Sequence, residues 1–418
     1  MDTKLNKDVL FYHRNNRPGK IEIKSIQACD TLYNLLLPHN PVVAESCLKI
    51  KENPDNVYEY TIKGNLAAVI TNGTAVAELG NIGTVASKPV MEGKLILLKR
   101  YADIDGFDIE LNTTDVDVFV RTVITMSPTF GAISLEYIKA PECFEIEKRL
   151  VDALNIPVMN DEQNGTSIVS AAGLINACEI AEKNIQDIKL VINGSGAVAM
   201  ACAEMYLSIG VKKENLIMID NKGVISKKRI DLDEYKKAFA VNTHLETLEN
   251  AIQGADACVE LSKTYTITPK MVQSMAESPI IFALENPNLD IYNDTIKATQ
   301  DIIYASSRSD IPNHINNALV IPYIFRAALD VRAAKVNNEM KKSAVYALAS
   351  LAKKSFIDNQ LATKKNNLTF GRDYFLPKVY DNRLLYTISS AVAIAAIETG
   401  VAQTKIEDWN GNYYKLID

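Results

Sequence analysis

The chain of 418 residues is 47% hydrophobic and 23% charged, with 18 glycines and 14 prolines. That is globular composition and excludes a disordered, fibrous or low-complexity protein. Its 45 basic residues against 51 acidic ones leave a net charge of −6, so the basic footprint of a duplex-binding surface is missing and no nucleic acid partner is expected. A single hydrophobic core stops growing at roughly 250–300 residues, which predicts two domains with a cleft between them.

The opening stretch MDTKLNKDVLFYHRNN has no apolar signal-like run. The late apolar run ISSAVAIAAI, bounded by Tyr386, Thr387 and Glu398, falls short of the roughly 20 residues a membrane span needs. A cytoplasmic protein with no membrane partner is expected. Cys29, Cys47, Cys143, Cys178, Cys202 and Cys258 show no CxxC spacing and are read as reduced thiols. His13, His39, His244 and His314 are too dispersed to announce a zinc cage.

In the first third, the apolar runs LAAVIT (66–71) and LILLK (95–99) alternate with the turn-rich TNGTAV and ELGNIG, an irregular α+β pattern. From about Asn160 the texture becomes βαβ alternation: LVIN, NLIMID, DACVEL, PIIFALEN and DIIYASS are separated by helix-length segments. Continuous apolar strands between helices predict a parallel, doubly wound sheet. The expected fold is therefore α/β: an N-terminal α+β substrate domain over 1–157, a Rossmann-type NAD-binding domain over 158–385 and a C-terminal helical segment over 386–418.

After the strand KLVIN comes Gly194-Ser195-Gly196-Ala197-Val198-Ala199, a G-x-G-x-x-A arrangement opening a helix. Gly194 suits the tight turn, Gly196 the approach of a pyrophosphate and Ala199 close helix packing, with the helix N-terminus supplying free N–H groups. The next strand, NLIMID, ends in Asp220, placed to accept from a ribose 2′-hydroxyl. That favours NAD over NADP, although Lys222, Lys227 and Lys228 follow closely.

MEGK (91–94), APECFEIE (140–147), DEQNGTSIV (161–169), INGSGA (192–197), FALENP (282–287), SRSDIPNHINN (307–317) and IFRAALDVRA (324–333) occur in this order. Through these motifs the chain resembles the malic enzyme family, in particular its short bacterial NAD-type members, over nearly its whole length. The resemblance implies oxidative decarboxylation of malate, a dicarboxylic hydroxy acid, to pyruvate and CO2, with a nicotinamide cofactor, Mg2+ or Mn2+ and a homodimer. It makes Lys94 the base and Glu145, Asp161 and Glu162 the metal shell; Asp161 is counted with the catalytic residues as well. Asn286 and Asn317 match amides near the substrate carboxylates and nicotinamide.

Several positions depart from the family pattern. The usual Tyr of its acid motif is His39 in HNPVVA, and histidine is itself a competent acid near neutral pH. The usual Asp-Asp pair is Asp161-Glu162, which lengthens one ligand. Asn164, Ser307, Asn81 and the stretch ELSKTYT also differ. The alternatives are a decarboxylase of oxaloacetate or another β-keto acid, and a degenerate nucleotide-binding member.

Overall fold

The computed structural model describes residues 3–14, 18–39, 41–262, 267–285, 301–358 and 366–404. Its frame is two parallel sheets joined by one buried helix. In the first sheet β1 (Leu66–Thr71) is buried at every position. It pairs with β2 (Asp105–Glu110) on one side and β3 (Ala132–Leu135) on the other, and β4 (Val158–Asn160) completes the order β2-β1-β3-β4. All three pairings are parallel. This half is thus more regular than the irregular α+β texture suggested.

Four helices precede this sheet: α1 (Thr3–Arg14), α2 (Leu32–Leu36), α3 (Ala44–Glu52) and α4 (Val57–Tyr60). The crossovers are α5 (Gly83–Ala102), α6 (Val116–Met126) and α7 (Glu142–Ala153). The run at 95–99 lies within α5 and is not a strand. Met91, Leu95, Leu98 and Ala102 are its buried face, the i, i+4, i+7, i+11 spacing of an amphipathic helix.

The second sheet has the order β10-β9-β8-β5-β6-β7. It comprises β5 (Leu190–Asn193), β6 (Leu216–Asp220), β7 (Gly223–Val224), β8 (Ala257–Glu260), β9 (Ile280–Ala283) and β10 (Ile303–Ser306). All its pairings are parallel except that of β7 with β6. β5 has β6 on one side and β8 on the other, so the chain reverses direction of winding there, where such sheets bind ligands.

α8 (Asp161–Ile180) starts as β4 ends, capped by Asn160 accepting from Gln163 N. The first sheet therefore runs through Asn160, and the change between halves falls just beyond the Pro157 expected from the pattern. Fifteen of the helix's residues are buried, on all faces, because it packs against α9 (Ala197–Ser208) and the Asn338–Ala352 helix. The Arg383–Glu398 helix packs on the Ile321–Asp330 and Asn338–Ala352 helices, and Ile321–Asp330 reaches α5 and β3 of the first half. The main apolar core is consequently continuous across both sheets. Among the described residues no helix is long and apolar enough to cross a membrane.

Asn176 ties this arrangement together. Fully buried, it donates to Ala349 O and Phe375 O, both at 2.9 Å. Asn176→Ala strands two buried carbonyls, and a loss of roughly 2–4 kcal/mol is expected, read as a lower urea midpoint. An unchanged midpoint would remove Asn176 from the packing argument.

Candidate active site

Three segments of the first half converge on one cleft. The strand β3 ends at Glu136, whose Oε1 accepts from Ser134 Oγ at 3.0 Å. Lys94, on the inner face of α5, places its Nζ 3.0 Å from Glu136 Oε2 and 3.1 Å from Asp161 Oδ2. Asp161 opens α8, and its Oδ1 accepts from Asn317 Nδ2 at 2.7 Å. Asn317 in turn accepts from Thr166 Oγ1 at 3.1 Å. A methyl group on Gly165 would lie 2.5 Å from Asn317 Cγ, so this approach of loop to helix requires glycine at 165. With Tyr137, Glu162, Ser307 and Asn316 these groups line a cavity of about 310 Å³.

Burial makes the charges here consequential. Burial alone would lower the Lys94 pKa, but Asp161 and Glu136 outweigh it and hold the ammonium well above its ordinary value. The two carboxylates therefore favour the ammonium form of Lys94, the residue that the resemblance makes the base. Glu136 is raised well above the usual carboxylate range by burial and then by Asp161, against the opposing pull of Lys94. Burial also raises Glu162, opposed by Lys94 and by a hydrogen bond from Tyr137. Three carboxyl groups face one ammonium. With all three ionised the balance is −3 + 1 = −2, a charge that the cleft relieves by protonation or by binding a cation.

The structure separates the expected metal shell. Asp161 and Glu162 line the cleft, but Glu145 sits on the outer face of α7, its side chain 56% exposed and 3.1 Å from Arg149. It follows Cys143 and precedes Ile146, the residues of α7 that face the core, so helical periodicity turns it outward. Glu136 stands in the cleft instead. Among the described residues no three His, Cys, Asp or Glu side chains already surround an ion-sized space. The donor set nevertheless suits a divalent cation: all are hard oxygens, a −2 balance is what such an ion neutralises, and Glu162 Oε2 is buried with no hydrogen-bond partner.

His39 lies exposed in the loop between α2 and α3, outside the residues lining the cleft, and so cannot serve as acid in the cleft of its own chain as placed. Asn286 falls outside the described residues. Asn317 is in the cleft, directly on Asp161. Sequence reasoning missed Glu136, Tyr137 and Ser134. The available signal was an acid directly after the buried strand AISL, since parallel sheets present their sites at the C-terminal strand ends.

A second cavity of about 280 Å³ adjoins the first, lined by Gly196, Ala197, Val198 and Ala199 with Tyr137, Lys139 and Glu162. Gly194 has φ +142°, and a Cβ there would meet Leu261 O at 2.6 Å. Gly196 caps α9 with open space about its Cα and no side-chain cap, leaving the helix N–H groups free for a phosphate. Ser195 is half-buried beside it. Asp220 does not keep the free carboxylate expected for a ribose. Its Oδ1 accepts from Lys222 N at 2.9 Å and Arg229 Nη1 at 2.7 Å, its Oδ2 from Arg229 Nη2 at 3.0 Å and Lys236 Nζ at 3.3 Å. With its side chain 3% exposed, its acceptor sites are filled.

Beneath the same turn Glu260 is buried at the end of β8, accepting from Asn193 Nδ2 at 3.1 Å. Burial pushes its carboxyl up from its ordinary 4.5 to about 7, against Asn193 and the Ile267 N–H. The fold favours the neutral form, so this group's contribution to stability is complete below 4.5 and is lost as the pH rises through about 7. Glu260→Gln should flatten that slope, on the order of 3 kcal/mol, seen by comparing urea midpoints of both proteins at acid and alkaline pH. Equal slopes would show that folding leaves the Glu260 carboxyl at its ordinary value.

Comparison with known proteins agrees with both halves. Residues 18–115 match the family model described as malic enzyme, N-terminal domain, and residues 163–368 that of malic enzyme, NAD binding domain. A protein of Halomonas elongata named NADP-dependent malic enzyme is 46% identical over 396 residues, 94% of each chain. A Haemophilus influenzae protein of the same name is 46% identical over 422 residues, covering 100% of this chain but 56% of its own length. The crystal structure of malic enzyme from Pyrococcus horikoshii superposes with a TM-score of 0.88 at 35% identity, covering 96% of this chain and 93% of that one. On sequence and fold alike, the chain belongs to the malic enzyme family.

Proposed function

We propose that this chain oxidises malate to pyruvate and CO2 while reducing a nicotinamide dinucleotide. The observation that carries the reading is Lys94 held between Glu136 and Asp161 in a cavity abutting the phosphate-binding turn of α9. Hydride leaves the hydroxyl carbon of the substrate for the nicotinamide while the hydroxyl proton goes to the Lys94 nitrogen. That nitrogen becomes a base by passing its own proton to the Glu136 carboxylate 3.0 Å away, whose proton affinity is raised by burial. Asn317 and Thr166 hold Asp161 and with it the lysine. Loss of CO2 leaves an enolate, and Lys94 returns a proton to it. Asp161 and Glu162, the latter with a buried oxygen that has no hydrogen-bond partner, would hold Mg2+ or Mn2+, which would supply Lewis-acid stabilisation of the enolate.

For the dinucleotide we favour NADP. The preference for NAD rested on a free Asp220, whereas the strand end presents three cations, Lys222, Arg229 and Lys236, against two carboxylates, Asp220 and Asp231. The surplus suits a ribose 2′-phosphate, and the Halomonas and Haemophilus relatives are named NADP-dependent. A homodimer is proposed in turn: the N-terminal segment leaves Phe11, Tyr12, Leu32 and Tyr33 more than 60% exposed, an apolar surface suited to a second copy.

Formation of NADPH and pyruvate from L-malate, NADP and manganese, with a chelator control, tests the reaction. Pyruvate from oxaloacetate without reduction of any dinucleotide from malate would replace it with a simple decarboxylase. Lys94→Met should lower malate turnover by at least 10²-fold, and His39→Ala should not. A comparable fall in His39→Ala would return His39 to the site, contributed by a second copy. Calorimetry with 2′,5′-ADP and 5′-AMP decides the cofactor: tighter 2′,5′-ADP binding that Arg229→Ala abolishes is expected, and equal binding would restore NAD.

A further inference from the structure

Hydride transfer requires the nicotinamide carbon and the substrate carbon to approach to roughly 3–3.5 Å, so the two cavities of the site must become continuous at one place. Among the described residues, Tyr137 and Glu162 alone line both. Tyr137 is held at that seam by its backbone. Its φ of +52° lies in the left-handed region, which is strained for a bulky residue. The surrounding structure enforces it: Ala75 N donates to Tyr137 O at 2.9 Å, and Glu136 N to Ile70 O at 2.9 Å. This twist comes directly after Glu136, where β3 gives way to the site. The ring has Lys94 Nζ 5.1 Å from its centroid, while the hydroxyl donates to Glu162.

We propose that Tyr137 is a positioning residue for hydride transfer: its ring, fixed by the left-handed backbone at the seam of the two cavities, sets how the nicotinamide meets the substrate carbon. The assignment rests on the oxidative reading above. The ring takes no part in bond making. It supplies a flat apolar edge against which a nicotinamide packs on one side, while its interaction with the Lys94 ammonium keeps the proton-handling group in register with the other. Oxaloacetate decarboxylation, which transfers no hydride, depends on this alignment far less than malate oxidation does.

The test compares the two reactions. Tyr137→Leu should lower kcat for malate oxidation by roughly 10²-fold more than kcat for oxaloacetate decarboxylation. It should also raise the primary isotope effect with malate deuterated at the hydroxyl carbon. Tyr137→Phe, which keeps the ring and loses only the bond to Glu162, should recover most of the difference. Equal losses in both reactions, or no rescue by Phe, would overturn the proposal. A readout free of turnover is the coupling between reduced dinucleotide and oxalate, a planar mimic of enolpyruvate, measured by calorimetry on the metal-loaded protein. Wild type should show about 10-fold mutual tightening, and Tyr137→Leu none; coupling preserved in Tyr137→Leu would sink the assignment. Should wild type fail to oxidise malate, the oxidative reading falls, and the coupling measurement still decides the role of Tyr137.

Discussion

The site depends on a cation confined among carboxylates. Lys94 lies between Glu136 and Asp161 with all three side chains largely buried, and each of these groups would be costly to bury alone. Pairing makes burial tolerable, and the surplus of acid then sets the electrostatics: the ammonium is favoured, while burial and Asp161 raise the Glu136 carboxyl 3.0 Å from it. Each partner comes from a different element: the lysine from α5, Glu136 from the end of β3, and Asp161 from the start of α8. Any displacement of the first sheet against the buried helix would separate them.

This explains why α8 is buried on every face. A helix with one polar stripe can rest on a single sheet, but this one lies between α9 and the C-terminal helices while its first turn completes the cleft. Its small residues permit that close approach, most clearly Gly165 against Asn317. The same helix that joins the two halves thus carries Asp161 and Glu162, so packing and catalysis share one constraint.

The sequence disclosed most of the frame. Runs such as LVIN and NLIMID are strands because nothing polar interrupts them, and the glycine turn after β5 sits where the motif requires. The first half was harder to read. LILLK is as apolar as a strand, and only the buried positions at 91, 95, 98 and 102 show that helical period governs it. In the site, Lys94, Asp161, Glu162 and Asn317 were legible from their motifs. Glu145 was not separable from Glu136 by composition, since both are acids, and only the turn of α7 sends Glu145 outward while Glu136 directly follows β3. For His39 and Asp220 the motif gave the residue but not its surroundings: His39 lies on an exposed loop, and Asp220 is enclosed by cationic neighbours.

Asp220 shows what such neighbours do. An acid at the end of the second strand of a dinucleotide fold ordinarily selects against a 2′-phosphate by its charge and by accepting a ribose hydroxyl. Arg229, nine residues on, reaches back with both guanidinium nitrogens, and Lys236 adds a third contact. The carboxylate thereby anchors two cations at the strand end, and its acceptor sites are taken. The motif identifies the position of Asp220, while only the ion pairs around it show that its charge is already compensated.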